Sequence, residues 1–278
     1  MKIALRRFLE KRGINLARNS LSLGLTPENL VLELLASLRP KNNGHKLIRV
    51  GGMGDGGYLV PDDLVGIREC FSPGSNLLWE FERVIAEDYQ IKSYICDSIS
   101  EKPSNLTELQ DFTEAWVSPY SDGKNLLSIQ DWIEQKNVSE NDLLLQMDIE
   151  GAEFQTLLSV PTRVLKRFRI IVLEIHFLEA VKNRWAFEHL YQPFFEKILK
   201  DFDLVHLHPN NCCGTWTLGS IEYPRILELT LHRKDRALKY SELMTSKNEL
   251  DSPCVPTNHE LELDFTGLPT SIRVLVNK

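Results

Sequence analysis

Two apolar runs in this chain end abruptly in charge. Leu143-Leu144-Leu145 continues through Gln146-Met147 into Asp148-Ile149-Glu150-Gly151-Ala152-Glu153, and Ile170-Ile171-Val172-Leu173 runs into Glu174-Ile175-His176. Runs without polar alternation suit strands covered on both faces, as in a parallel sheet flanked by helices. Leu47–Val50, Glu69–Phe71, Lys92–Cys96, Ala115–Val117, Asp203–His208 and Ile226–Leu231 read as further strands beside Asp142–Met147 and Ile170–Ile175. Helical stretches at Trp79–Asp88, Ser128–Gln135, Ala152–Leu158 and Arg184–Lys200 separate many of them. Strands alternating with helices predict an α/β protein on a mostly parallel central sheet.

Three segments follow from this pattern. Residues 1–45 form an N-terminal helical segment, 46–235 hold the α/β body, and 236–278 are a C-terminal extension that turns polar and irregular. Thr26-Pro27-Glu28 opens a helix, with Thr26 placed as N-cap and Pro27 at the first helical position. Residues 1–20 carry six basic side chains against the single acid Glu10. That segment either packs on its own domain or makes a peripheral contact with an anionic membrane or partner. It has no apolar core like that of a secretory signal, and no run in the chain approaches the ~18 apolar residues of a membrane span.

The formal charge is −7, the wrong sign for a chain whose main partner is nucleic acid. Five cysteines, none spaced C-x-x-C, argue against a disulfide framework and a zinc ribbon, and predict reduced thiols in the cytoplasm. The composition leaves the oligomeric state open.

Ligands of open α/β sheets bind beyond the carboxyl ends of the strands, so the residues that follow each strand are the candidates. After Glu69–Phe71 comes Ser72-Pro73-Gly74-Ser75-Asn76, a small-residue turn through which a ligand can reach backbone N–H groups. The next strand ends at Asp97-Ser98, 23 residues after Gly74, the position of a carboxylate that binds a ribose diol. Asp148, Glu150 and Glu153 crowd the end of the strand at 142–147, and strand alternation puts Asp148 and Glu150 on one side. Glu174 and His176 share a side of their strand, as do His206 and His208 before Asn210 and Asn211. Carboxylates and imidazoles gathered at such an edge are costly without a bound partner or a chemical task. Arg49, Asp55 and Tyr58 flank or sit within a stretch with five glycines in seven positions, from which they can reach a ligand. No G-K-[ST] follows, which excludes a P-loop.

With these residues in view, the chain resembles the FkbM-type family of S-adenosylmethionine-dependent methyltransferases. The resemblance rests on the order of motifs over residues 46–235: Asp55-Gly56-Gly57-Tyr58, the Ser-x-Gly turn, Phe81-Glu82, Asp97, Leu127-Ser128-Ile129, Met147 to Glu153, Glu174-Ile175-His176, His208 to Asn211, and Leu227-Glu228-Leu229. It implies a class I methyltransferase Rossmann-like sheet with a terminal antiparallel strand, S-adenosylmethionine as cofactor, and O-methylation of a sugar or glycan hydroxyl.

On that reading Gly74, Ser75 and Glu82 hold the methionine part of the cofactor, Asp97 and Ser98 the ribose, and Ser118 and Asp122 the adenine edge. Asp148 faces sulfonium and acceptor. His176, oriented by Glu174 or Glu150, is the general base. Arg49, Asp55, Tyr58, Glu150, His208, Asn210 and Asn211 line the acceptor side. A second version places Mg²⁺ or Mn²⁺ on Asp148, Glu174 and His176. Two rivals are a non-catalytic glycan or nucleotide-sugar binding module and a glycosyltransferase whose D-x-D motif Asp148-Ile149-Glu150 only approximates.

Overall fold

A computed structural model describes residues 24–74, 79–98, 106–138, 140–241, 247–261 and 263. The basic segment 1–20, Ser75 and residues 264–276 lie outside them. A seven-stranded sheet runs in the order β5 (Gln110–Thr113), β4 (Lys92–Cys96), β3 (Glu69–Pro73), β8 (Leu143–Met147), β9 (Phe168–Ile175), β13 (Leu227–Arg233), β10 (Phe202–Pro209). From β5 to β9 every pairing is parallel, while β13 is antiparallel to both β9 and β10. The sheet is therefore mixed, and its architecture is compatible with a methyltransferase.

The apolar runs land at its centre. All five residues of β8 and all eight of β9 are buried. Leu143, Leu145, Ile171 and Leu173 enter one hydrophobic cluster, and Leu144, Ile170 and Val172 enter another on the opposite face. Alternate residues thus fill two cores, each such side chain contributing up to about 2 kcal/mol. The helices α1 (Glu28–Ser37), α2 (Glu80–Tyr89), α3 (Ile129–Gln135), α4 (Glu153–Ser159) and α5 (Thr162–Leu165) are followed by α6 (Arg184–Ala186) and α7 (Gln192–Asp201). Val31, Leu34 and Leu35 of α1 sit in the same cluster as β8 and β9.

Several local expectations differ. The stretch Ala115–Val117 does not enter the main sheet: β6 (Trp116–Val117) pairs with β7 (Leu126–Leu127) in a two-stranded parallel piece. The edge position belongs to Gln110–Thr113, whose residues are all half-buried, so its sequence lacks the apolar run of a central strand. The glycine-rich stretch connects a hairpin, β1 (Leu47–Val50) with β2 (Tyr58–Pro61), and β11 (Thr215–Leu218) with β12 (Ile221–Pro224) makes another. Pro27, not Thr26, caps α1; the buried Thr26 hydroxyl donates instead to the Val181 carbonyl at 2.5 Å. That tertiary bond satisfies a hydroxyl that would otherwise be buried without a partner. The helical stretch 184–200 contains a π segment at Phe187–Tyr191 between α6 and α7. Among the described residues no helix is long and apolar enough to cross a membrane.

Candidate functional site

The carboxyl ends of β3, β4, β8 and β9 share one edge, because those strands are parallel. At that edge the turns after β3 and β8 touch. The Asp148 N–H donates to the Pro73 carbonyl at 3.1 Å, and the Gly74 N–H donates to the Cys96 carbonyl at 2.9 Å. Gly74 has φ +81°, and a Cβ there would lie 1.5 Å from the Asp148 carbonyl oxygen. Glycine is needed here for close backbone approach as well as for its dihedral.

Beside this turn lies a cavity lined by Asp55, Tyr58, Gly74, Glu82, Gln146, Asp148, Glu150, Glu174, His176 and Asn210. Its floor is a polar network. Ser72 donates to the buried Glu82 and lies 2.6 Å from Gln146 Oε1, whose amide is 3.5 Å from the Tyr58 hydroxyl. Burial raises the Glu82 carboxyl above its ordinary value, although Ser72 opposes this.

His176 is surrounded by four carboxylates. Its Nε2 lies 3.8 Å from Asp148, 3.5 Å from Glu150 and 3.6 Å from Glu174, and its Nδ1 lies 3.3 Å from Glu153 Oε1. Burial alone would lower the imidazole pKa, but the Glu153 hydrogen bond and the carboxylates of Glu153, Asp148 and Glu150 hold it above the ordinary value. Burial pushes Asp148 up to about 7; His176 opposes this, while Glu150, Glu153 and Asp55 add to it. Burial, then Asp148, Glu228 and Asp55, push Glu174 up to about 10. Asp148 Oδ1 and Glu174 Oε2 are buried with no hydrogen-bond partner. Asp148, Glu174 and His176 each offer a ligand atom within 4.8 Å of the others.

The local backbone explains the convergence. β8 ends at Met147, and Glu150 reaches the imidazole from a left-handed conformation, φ 56°, rather than by strand alternation. Phe177, also left-handed at φ 55°, covers Gly151, where a Cβ would meet its ring at 2.6 Å. Glu153 starts α4 and accepts from the N–H groups of Ile149 and Gly151 with the oxygen that faces His176. Its place as the imidazole's partner was not read from the sequence, where it signals only a favourable charge at a helix N-terminus.

A second polar row crosses the antiparallel side. Glu174 of β9 stands opposite Glu228 of β13, which stands opposite His208 of β10. Glu228 Oε2 is 3.2 Å from His208 Nδ1, and Glu228 Oε1 accepts from the Cys254 thiol at 2.7 Å. Residues 248–258 lie along this row. His206 Nε2 meets Asp251 at 2.8 Å, and Asn211 exchanges hydrogen bonds with Val255 and Asn258. Glu228, Asp251 and Cys254 were absent from the sequence candidates; a charge inside Leu227-Glu228-Leu229 was the available signal for the first.

The remaining candidates fall into two groups. Asn210 lines the cavity and donates to Glu174 at 3.0 Å. Arg49 grips its own loop, donating to the carbonyls of Gly52 and Gly54, and reaches across to the Leu250 carbonyl. Asn211 and His208 serve the second row and do not line the cavity. Asp97, half-buried, and Ser98 follow β4, one strand over from Gly74. Ser118 donates to the Tyr120 carbonyl within its own turn. Asp122 is exposed and accepts from the N–H groups of Lys124 and Leu126. None of Asp97, Ser98, Ser118 and Asp122 is brought to the described cavity wall.

A search of curated proteins found no match. Residues 104–201, the stretch that carries β8, β9 and the whole cluster from Asp148 to His176, match the family model of the methyltransferase FkbM domain, and the resemblance read in the sequence is to that family.

Proposed function

We propose that this chain is an S-adenosylmethionine-dependent O-methyltransferase with a class I Rossmann-like sheet, acting on a sugar or glycan hydroxyl. The observation that carries the reading is the carboxylate lining of the cavity, Asp55, Asp148, Glu150 and Glu174, beside the Gly74 turn. With Glu174 held neutral by burial, the other acids of the wall favour a cationic sulfonium over an anionic ligand. The single antiparallel strand β13 beside β9 agrees with the sheet that the resemblance implies.

The residues fit the cofactor. Asp97 is a half-buried carboxylate at the end of β4, the chemistry that accepts from two ribose hydroxyls, and Asp148 Oδ1 is buried with no hydrogen-bond partner. When bound, S-adenosylmethionine supplies an electrophilic methyl group. The protein's own work is to orient the acceptor and take its proton. Glu153 accepts from His176 Nδ1, which leaves Nε2 as the atom that takes the hydroxyl proton. Asp148, its carboxyl raised to about 7, stands 3.8 Å from that atom, and its charged form stabilises the imidazolium. Glu174, held neutral by its pKa of about 10, and Asn210 position polyol hydroxyls. Asp55, Tyr58 and Glu150 line the acceptor side, and a reducing cytoplasm suits the free thiols.

One observation favours a metal-assisted version. Asp148, Glu174 and His176 come within ligand distance of one another, an O/O/N set that fits Mg²⁺ or Mn²⁺. A hard cation there would acidify an acceptor hydroxyl.

Calorimetry with S-adenosylmethionine, followed by a methyl-donor assay across sugars, nucleotide sugars and lipid-linked glycans, tests the proposal. Cofactor binding with methyl transfer to a hydroxyl supports it, and absence of cofactor binding overturns it in favour of a non-catalytic glycan-binding module. Turnover that survives exhaustive chelation removes the metal version.

A further inference from the structure

We propose that His208, Glu228 and Cys254 form a binding site for a zinc-class divalent cation beside the cavity, which Cys254 of the three lines, separate from the Asp148–Glu174–His176 group. The three residues come from β10, β13 and the segment 248–258. They are only 5%, 6% and 8% exposed, respectively. Each offers one ligand atom, and the three atoms lie within 4.8 Å of one another.

Sheet register builds the site. His208 and Glu228 are directly paired across two antiparallel strands, which puts their side chains on one face. The paired strands fix two ligands before the third arrives. Cys254 is then delivered from a loop anchored on both sides, by Asp251 on His206 and by Val255 on Asn211. Three independent elements therefore aim a nitrogen, an oxygen and a sulfur at one point.

The donor set selects the ion. Imidazole, carboxylate and thiolate together suit Zn²⁺ and its borderline-soft neighbours, whereas a thiolate is a poor ligand for the hard ions Mg²⁺ and Mn²⁺. Zinc bond lengths of about 2.0–2.3 Å imply ligand–ligand separations of roughly 3.3–3.7 Å in a tetrahedron. The observed separations are 2.7 Å for Cys254 Sγ to Glu228 Oε1 and 3.2 Å for His208 Nδ1 to Glu228 Oε2. Each of these two contacts would open by about 1 Å or less to reach that spacing, and all three ligand atoms lie within 4.8 Å of one another. His208 Nε2 is buried with no hydrogen-bond partner, which leaves that nitrogen also available as a ligand. The charges acting on His208 are the carboxylates of Glu228, Asp251 and Glu260, a field that attracts a cation.

A third trio, His45, Asp63 and His232, is equally close but unsuitable. Both oxygens of Asp63 are taken by Arg236, and Arg169 is 3.4 Å away. Two guanidinium charges at a site repel a further cation.

Binding forms one Zn–S, one Zn–N and one Zn–O bond, displaces an equal number of waters from the ion, and releases the Cys254 thiol proton to solvent. Cys254 also lines the cavity, so the ion would stand at its wall and leave a fourth position for water or an acceptor oxygen.

The test uses the full chain, stripped by chelator dialysis and titrated with Co²⁺ alone. One equivalent should produce a near-ultraviolet thiolate-to-cobalt charge-transfer band that Zn²⁺ bleaches. Cys254→Ser should abolish the band. Glu228→Gln should weaken Co²⁺ binding at least about tenfold. Circular dichroism checks that both variants fold, and a band lost only in an unfolded variant counts against the site. Cobalt bound at Asp148, Glu174 and His176 would give no thiolate band. The proposal is overturned if the wild type gives no band, or if the band survives Cys254→Ser and disappears in Cys212→Ser/Cys213→Ser. The readout needs neither cofactor nor acceptor, so it stands or falls independently of the methyltransferase reading.

Discussion

Glu153 Oε1 lies 3.3 Å from His176 Nδ1 and also accepts from the N–H groups of Ile149 and Gly151 at 3.0 and 3.1 Å. One buried oxygen thus ties the imidazole that follows β9 to the turn that follows β8. Because a carboxylate bonded to Nδ1 favours the protonated ring, Glu153→Gln should lower the His176 pKa while the amide oxygen still accepts from the turn. Following the His176 ring protons by NMR across pH checks this. An unmoved midpoint would mean that Asp148 and Glu150 alone set the imidazole's basicity.

His176→Ala should reduce kcat by about 10²–10⁴ with cofactor affinity near wild type, because a base acts on the acceptor proton. Calorimetry with the cofactor and single-turnover rates separate the two effects. Turnover within a few-fold of wild type would make His176 structural and pass its role to Asp148.

Asp97→Ala should weaken S-adenosylmethionine binding at least about tenfold and leave the fold intact, since two ribose hydroxyls would lose a carboxylate partner. Asp97 follows the last strand residue and belongs to neither core cluster, so its removal leaves the packed layers unchanged. Equal affinity in the variant would place the ribose acid elsewhere.

The parts legible in the sequence are those where a single strand carries its own signal. β8 and β9 announce themselves because burial on both faces demands apolar residues at every position. The carboxylates behind them stand out against that background. β5 was hidden because an edge strand needs no such run, and Gln110–Thr113 looks like a loop. The site's second row was hidden for another reason. Glu228 meets His208 through strand register, and Cys254 meets Glu228 across 26 residues of sequence. Neither contact leaves a local pattern. The alternation argument did bring Asp148 and Glu150 together, but by a different path: a left-handed Glu150 turns its carboxylate onto His176.

The raised carboxyls predict how stability varies with pH. Folded Asp148 and Glu174 hold protons up to about 7 and about 10, whereas the unfolded chain releases them near 3.8 and 4.5. Between those limits the native state binds more protons, so stability falls as pH rises. Above pH ~7 Asp148 drops out and Glu174 continues the decline, joined by His176 and His208, which neighbouring carboxylates hold above the ordinary imidazole value, and by buried thiols such as Cys96, pushed up to about 12. Glu174→Gln, which still accepts from Asn210, should flatten the fall in melting temperature between pH ~7 and ~10, measured with chelator present. A slope equal to wild type in that window would show that Glu174 is ionised in the folded protein.

Gly74→Ala tests the join between the two turns that form the cavity's inner edge. The substitution meets two penalties at once. Its φ of +81° is strained for any residue with a Cβ, and that Cβ would fall 1.5 Å from the Asp148 carbonyl oxygen. Backbone on both sides leaves no flexible side chain to move aside, so the turn after β3 or the one after β8 must shift. The expected cost is about 2 kcal/mol or more, a strained dihedral plus overpacking. Displacing Asp148 also carries its carboxylate away from His176, so the ring protons of His176 should titrate differently even in molecules that remain folded. Chemical denaturation gives the stability, and NMR of the imidazole gives the second readout. A variant as stable as wild type, with His176 titrating unchanged, would show that the two turns are not locked together.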